Sequence, residues 1–96
     1  MRRCYLVCYD IRDARRLRRV FQVVKGYGEH WQFSVFFCVL KAIERVRLER
    51  DLSREMNLAE DQAVIIDLGP DREAAKQAIS VLGPALPQAP SRSLVI

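Results

Sequence analysis

The residue with the most evident chemistry is Asp10, which ends an apolar run that starts at Cys4 and is typical of an interior β-strand. Burying an aspartate there costs several kcal/mol unless the carboxylate is solvated, paired or metal-bound. Carboxylate oxygens suit Mg²⁺, so Asp10 is a candidate metal-binding and catalytic residue. One carboxylate is a poor site, but a two-fold axis near Asp10 would supply a second from a partner. Alternatively, Asp10 caps the following turn or pairs with an arginine such as Arg12 or Arg16.

A second candidate is the group of arginines in the helix predicted after Asp10. No acidic residue occurs between Asp13 and Glu29, so this segment is strongly basic. Arginine offers a planar fork of donors that suits phosphate oxygens, and such a surface would bind nucleic acid with little sequence dependence. The alternative is a solvated helix face. The candidate nucleic-acid-binding residues are Arg15, Arg16, Arg18 and Arg19.

His30 is the only histidine, and it precedes Gln32 and Ser34 in a β-prone segment. An imidazole at this place could act as a general base or donate to a phosphate, so His30 and Ser34 are accessory candidates. The alternative for His30 is an ordinary surface position. The sequence has no phosphate-binding glycine loop, CxxC pair, HExxH motif or nucleophile elbow, so it offers no further site of these types.

The composition is that of one small globular domain. The chain has 96 residues, of which 50% are hydrophobic and 29% charged, and it is too short for two independent cores. The net charge is +4 and the pI about 9.3, with 13 arginines against 3 lysines. This excess of arginine favours contact with nucleic acid, and it agrees equally with a GC-rich genome.

Three cysteines do not predict a disulfide framework. Cys4 and Cys8 would lie roughly 13 Å apart on one face of a strand, too far to bridge. No stretch is long and apolar enough to span a membrane, and the N-terminus has no apolar signal region or cleavage site. We therefore expect a cytoplasmic protein with no membrane partner.

Hydrophobic periodicity predicts the elements of a core over residues 1–68. Cys4–Ile11 form the first strand, and Asp13 and Gly26 are good start and stop signals for an amphipathic helix. The other elements of the core are a β-rich segment of one bent or two short strands, a second helix and a further strand, at Trp31–Leu40, Ala42–Met56 and Gln62–Leu68.

A C-terminal extension is predicted over residues 69–96, packing on the same domain or on a dimer partner. A short helix begins at Asp71 and ends at Gly83-Pro84. Three prolines then make a stiff connector to Leu94–Ile96, which we expect to dock as an edge strand. The shared apolar face of the short helix comprises Ala75, Ile79 and Leu82.

This order of elements predicts an α+β fold, a ferredoxin-like βαββαβ sandwich with a short extra C-terminal helix and a terminal edge strand. Its helices lie on one face of the sheet and leave the other face bare, although the strands are apolar on both sides. A second copy packed sheet to sheet is the most economical cover, so we expect a homodimer.

Three short motifs occur in an informative order and spacing. They are Tyr9-Asp10-Ile11 with Asp13 two residues on, Lys25-Gly26-Tyr27-Gly28, and Gln32 followed by Ser34-Val35-Phe36. Together with Cys38 and with Glu60-Asp61 before the last core strand, they resemble the family of CRISPR-associated protein two, the small subunit of the spacer-acquisition machinery. The resemblance is continuous from about Cys4 to Leu40.

The resemblance implies a ferredoxin-like homodimer lodged between two dimers of the CRISPR integrase, where it helps to hold duplex DNA. It also implies a Mg²⁺-dependent endonuclease acting on RNA or DNA, with Asp10 of each protomer as the metal-binding residue. The C-terminal strand would pair with the partner's sheet. Two positions depart from the family pattern: His30 replaces a basic residue, and Phe37 replaces a common glutamate.

Three functions from different classes follow. The first is a CRISPR adaptation subunit that binds nucleic acid and also hydrolyses phosphodiesters. The second is an architectural bridge between integrase and DNA that cuts nothing. The third is a toxin-type ribonuclease of related fold.

Overall fold

Strand β1 (Arg2–Asp10) lies in the interior of a four-stranded sheet. In the computed structural model, which describes residues 1–85, it pairs antiparallel with β3 (Val35–Lys41) on one side and with β4 (Gln62–Gly69) on the other. Strand β2 (Gly28–Gln32) extends the sheet beyond β3, giving the order β2-β3-β1-β4. An interior place explains why β1 is apolar on both faces.

Three helices complete the fold: α1 (Ala14–Lys25), α2 (Ala42–Glu55) and α3 (Arg72–Gln77). The order β1-α1-β2-β3-α2-β4-α3 confirms the ferredoxin-like arrangement with an extra C-terminal helix. The β-rich segment Trp31–Leu40 falls in two strands joined by a turn at Phe33-Ser34, and the first of these strands begins earlier than predicted, at Gly28. The expected edge strand Leu94–Ile96 lies outside the described residues. No helix within residues 1–85 is long and apolar enough to cross a bilayer.

Helix α1 begins and ends where its sequence predicts. The Asp13 carboxylate accepts hydrogen bonds from the backbone amides of Arg15 and Arg16, both at 3.0 Å. At the other end, Gly26 donates to the Val23 carbonyl at 3.1 Å. These contacts satisfy backbone groups that a helix end leaves without partners.

The first core lies between the sheet and helices α1 and α2. Strand alternation directs Tyr5, Val7 and Tyr9 of β1 toward the helices, and it directs Cys4, Leu6, Cys8 and Asp10 to the second face. Helix α1 contributes Val20 and Val24, and α2 contributes Leu48 and Leu52, to this core; all four are buried.

The second face of the sheet is partly covered by α3, which corrects the expectation of a bare face. Ala75 is fully buried against a cluster that includes Cys4, Trp31 and Phe37. The rings of Trp31 and Phe37 stack with centroids 4.7 Å apart. Helix α3 does not cover this face at β4, where Val64 and Ile66 are 44% and 42% exposed.

Helix α3 is shorter than predicted, since it ends at Gln77 rather than at Gly83-Pro84. Leu82 is 99% exposed and does not share the apolar face of Ala75. The residues after Ala78 include Ile79, Ser80 and Val81, all of weaker helix propensity than alanine. The prediction was too long because it followed the spacing of apolar residues into a segment with low helix propensity.

Strands β1 and β4 contain one irregularity of register. Cys4 lies opposite Gly69 and Tyr5 opposite Asp67, so that Leu68 is an extra residue in β4. Such a bulge bends the strand locally. From Tyr5 to Asp10 the pairing is regular, and Asp10 lies opposite Gln62.

Gly28 lies where β2 crosses the Cys38 side chain, and this close approach predicts a strong effect of substitution. A Cβ at Gly28 would meet the Cys38 sulfur and lie 2.5 Å from the Phe37 carbonyl oxygen. Because Cys38 is fully buried, Gly28→Ala is expected to lower the free energy of unfolding by about 1–3 kcal/mol, measured by urea denaturation.

The control is Gly26→Ala, since a Cβ there lies 3.3 Å from the Val23 carbonyl and Gly26 has an ordinary φ of −73°. Equal stability losses in the two variants would contradict the close-approach explanation.

Candidate metal site and nucleic-acid interface

Asp10 ends β1 as an exposed carboxylate at one end of the sheet. It forms no hydrogen bond or ion pair with any residue in the range 1–85, so the alternative pairing with Arg12 or Arg16 is not seen there. The turn Phe33-Ser34 lies beside it, because the Tyr9 amide donates to the Ser34 carbonyl at 3.1 Å. Asp10 therefore has no intramolecular partner among the described residues.

Arg16 is held by a different carboxylate, Asp61. The Asp61 side chain is fully buried and accepts from Arg16 Nε at 2.8 Å and from Arg16 Nη2 at 3.2 Å. Arg16 Nη2 also donates to Glu60 at 3.0 Å. The Arg16 hydrogen bond holds the pKa of Asp61 far below its usual range, so this carboxylate stays ionised.

Asp61 also accepts two backbone hydrogen bonds. The amides of Arg12 and Asn57 donate to it at 2.9 Å and 2.8 Å. Arg12 belongs to the loop after β1, and Asn57 to the loop before β4. Asp61 thus fixes the backbone two residues beyond Asp10, and it acts as a positioning residue for that loop.

The α1 arginines divide into two groups. The Arg16 side chain is 19% exposed and turned to Asp61, whereas Arg15, Arg18 and Arg19 are exposed together along the outside of the helix. Arg19 Nε donates to Glu55 at 3.0 Å. Within the described chain the guanidinium groups of Arg15 and Arg18 have no acidic partner. This face offers fixed positive charge to phosphate groups.

His30 and Asp10 lie on opposite faces of the sheet. His30 pairs with Phe36 across β2 and β3, and its ring contacts Phe36 and Phe21 at centroid distances of 4.8 Å and 5.0 Å. That is the helix-covered face, whereas strand alternation directs Asp10 to the other. Of the two accessory candidates, Ser34 lies beside the end of β1, where its carbonyl accepts from Tyr9, and His30 lies near the same end on the face opposite Asp10.

Among residues 1–85, no three metal-ligating side chains lie close enough together to hold an ion. Asp10 alone is therefore an incomplete metal site in one protomer. This donor fits half of a Mg²⁺ site, since Mg²⁺ keeps several water ligands and binds through one or two carboxylates.

Sequence reasoning gave Asp61 no role beyond the resemblance. The only local signal was an acidic pair, Glu60-Asp61, immediately before an apolar strand. Its partner Arg16 is 45 residues away along the chain, so no short motif connects the two.

The buried carboxylate generates a prediction for Asp61→Asn. The neutral amide cannot form an ion pair with Arg16. The melting temperature of the variant is therefore expected to be about 5–10 °C below that of wild type at neutral pH. Because the pKa of Asp61 is lowered in the folded state, its contribution is present above about pH 4 and is lost as the pH falls further. The melting-temperature gap to wild type should be constant from pH 7 to 5 and should narrow toward pH 2.

Asp67→Asn is the control, because Asp67 pairs with Arg3 at 3.0 Å on the surface, where such pairs contribute little. The positioning role would be contradicted if Asp61→Asn lowered the melting temperature no more than Asp67→Asn does. It would also be contradicted if the difference in melting temperature between Asp61→Asn and wild type did not change between pH 5 and pH 2.

Comparison with known proteins identifies the family. The sequence model described as CRISPR associated protein Cas2 matches residues 2–75. A CRISPR-associated endoribonuclease Cas2 of Geobacter sulfurreducens is 42% identical over 83 residues, which is 86% of each chain. One of Rhodospirillum rubrum is 36% identical over 92 residues, covering 96% of this chain and 89% of the relative.

Solved structures agree. The crystal structure of the Streptococcus pyogenes Cas2 at pH 6.5 superposes with a TM-score of 0.74 and 27% identity, covering 83% of this chain and 99% of that one. A hypothetical protein, TT1823, of Thermus thermophilus superposes with a TM-score of 0.77 and 32% identity, covering 92% and 98%. The chain belongs to the Cas2 family of CRISPR-associated proteins.

Proposed function

We propose that this protein is a CRISPR adaptation subunit that binds nucleic acid and, as a homodimer, acts as a Mg²⁺-dependent endonuclease on RNA or DNA. The observation that carries the proposal is Asp10, an exposed carboxylate with no partner within residues 1–85, beside an arginine-covered helix in a chain of the Cas2 family. Relatives named endoribonucleases support the nuclease part. Its proposed location is the cytoplasm.

A dimer would complete the metal site. The second face of the sheet ends in the exposed side chains Val64 and Ile66, and Asp10 is directed to this same face. Packing two copies sheet to sheet would bury this apolar area and bring the two Asp10 carboxylates toward a shared axis. Bound Mg²⁺ would lower the pKa of a coordinated water and neutralise charge on the scissile phosphate.

The remaining residues would orient the substrate. Arg15, Arg18 and Arg19 would hold phosphates along α1. Arg16 would act through Asp61, keeping the loop after β1 in place, rather than as a main phosphate contact. Ser34 would line the approach to Asp10, and His30 would act on the opposite face.

A second candidate is a bridge that holds duplex DNA for dimers of the CRISPR integrase and cuts nothing. One observation favours it: within residues 1–85 no three metal-ligating side chains lie together, so one protomer holds no complete site. The two candidates share the arginine face and differ at Asp10. Family membership disfavours the third hypothesis, a toxin-type ribonuclease.

Asp10→Asn tests the enzymatic proposal. It removes a metal-binding anion with little change of shape, so Mg²⁺-dependent cleavage of RNA and DNA should fall at least about 100-fold. Light scattering should still detect a dimer. The control is Glu29→Gln, which removes an exposed carboxylate from β2. Undiminished cleavage by purified Asp10→Asn protein would favour the bridge and a contaminating nuclease.

The arginine face is tested by the triple variant Arg15→Ala, Arg18→Ala, Arg19→Ala. Each lost phosphate contact should reduce the slope of log K against log salt concentration by about 0.9 for duplex DNA, so the slope should fall by roughly 2–3. Fluorescence anisotropy at several salt concentrations measures it.

The matched control removes the same charge from α2, as Arg47→Ala, Arg50→Ala and Arg54→Ala. Equal losses in both triple variants would mean that net charge alone drives binding, and would contradict a site on α1.

A further inference from the structure

An apolar cavity of about 240 Å³ lies between α1 and the turn that joins β2 and β3. Its walls include Leu17 and Phe21 of α1, Tyr9 of β1, and His30 with Phe33 beside the turn. It lies on the helix-covered face, away from the face proposed for dimer contact. Its size is below the roughly 300–1,000 Å³ of sites for drug-sized ligands, and it suits a single ring system.

The cavity is built from aromatic rings in edge and tilted contact. Phe21 meets His30 edge to face at 5.0 Å and Phe36 at 5.5 Å. Phe33 projects from the turn and is 77% exposed. An aromatic side chain so exposed at the mouth of an aromatic cavity is placed to stack on a planar ligand.

One buried polar group beside the cavity, the Tyr9 hydroxyl, has no hydrogen-bond partner among residues 1–85. Tyr9 is 5% exposed, and its hydroxyl forms no hydrogen bond with any described residue. A buried hydroxyl without a partner is unfavourable, and most such groups are satisfied. The hydroxyl oxygen has almost no accessible surface, so Tyr9 lines the cavity with its ring and not with its hydroxyl.

The charge at the mouth identifies the class of ligand. Arg18 and Gln22 line both this cavity and the adjoining surface formed by Arg15 and Arg19. Aromatic stacking joined to a cationic track is the arrangement by which proteins hold single-stranded nucleic acid. An apolar protein side chain would fill the cavity but would leave the arginines without complementary charge.

We propose that this cavity receives one unpaired nucleobase, which stacks on Phe33 and packs against the Tyr9 ring, while its phosphates lie on the α1 arginines. The inference rests on the proposed nucleic-acid binding and adds to it a preference for ends, bulges or loops over continuous duplex. Asp10 follows Tyr9 on the opposite face, so the base and the metal site are held by neighbouring residues.

The test compares two DNA duplexes of equal phosphate number, one fully paired and one with a single unpaired 2-aminopurine, at fixed salt concentration. Wild-type protein should bind the unpaired probe about 10-fold more tightly and should change its fluorescence on binding. Phe33→Ala should lose this preference while keeping its affinity for the paired duplex. Tyr9→Phe, which removes only the inaccessible hydroxyl and keeps the ring, should retain the preference.

The control is Ile43→Ala, which removes an exposed apolar side chain, 53% accessible, from the start of α2 at the far end of β3. A preference that survives in Phe33→Ala, or no preference in wild type that binds duplex, would overturn the base-binding assignment and favour a protein side chain as occupant. Failure to bind either DNA probe or the same two probes made of RNA would overturn the proposed function itself, and the inference with it.

Discussion

The Asp61 carboxylate joins segments that the chain keeps far apart. It accepts from Arg16 in α1, from the Arg12 amide after β1 and from the Asn57 amide after α2. A buried carboxylate is tolerable only when its oxygens are satisfied in this way, and removing one partner leaves the others in a water-poor site. The end of the sheet that presents Asp10 is therefore set by a charge network, while the rest of the sheet is set by packing.

This division explains how much the sequence could predict. Elements followed from periodic signals: the strand before Asp10, the Asp13 cap, the apolar stripe of α1 and the glycine at its end all act within a few residues. Their sum defined the ferredoxin-like order. The position of Asp10 at a strand end was predictable for the same reason, because an acidic residue interrupts an apolar run.

The remainder depended on contacts between distant residues. Arg16 differs from Arg15 in that it lies one turn before Val20, on the edge of the core stripe, and only the fold brings it to Asp61. The apolar face of α3 at Ala75 was predicted from the sequence, but its packing on the second face of the sheet depends on contacts with Cys4, Trp31 and Phe37, which are distant along the chain. The separation of His30 from Asp10 likewise follows from pairing between strands and not from their order in the chain.

Because successive side chains of β1 point to opposite faces of the sheet, the number of residues in this strand determines which face each side chain reaches. Tyr9 and Asp10 serve opposite faces, so an insertion or deletion of one residue between Tyr5 and Asp10 would exchange the aromatic and the acidic group. The extra Leu68 in β4 lies at the other end of the pairing, opposite Cys4 and Tyr5. An extra residue at that end of the sheet therefore leaves the two faces at the site unchanged.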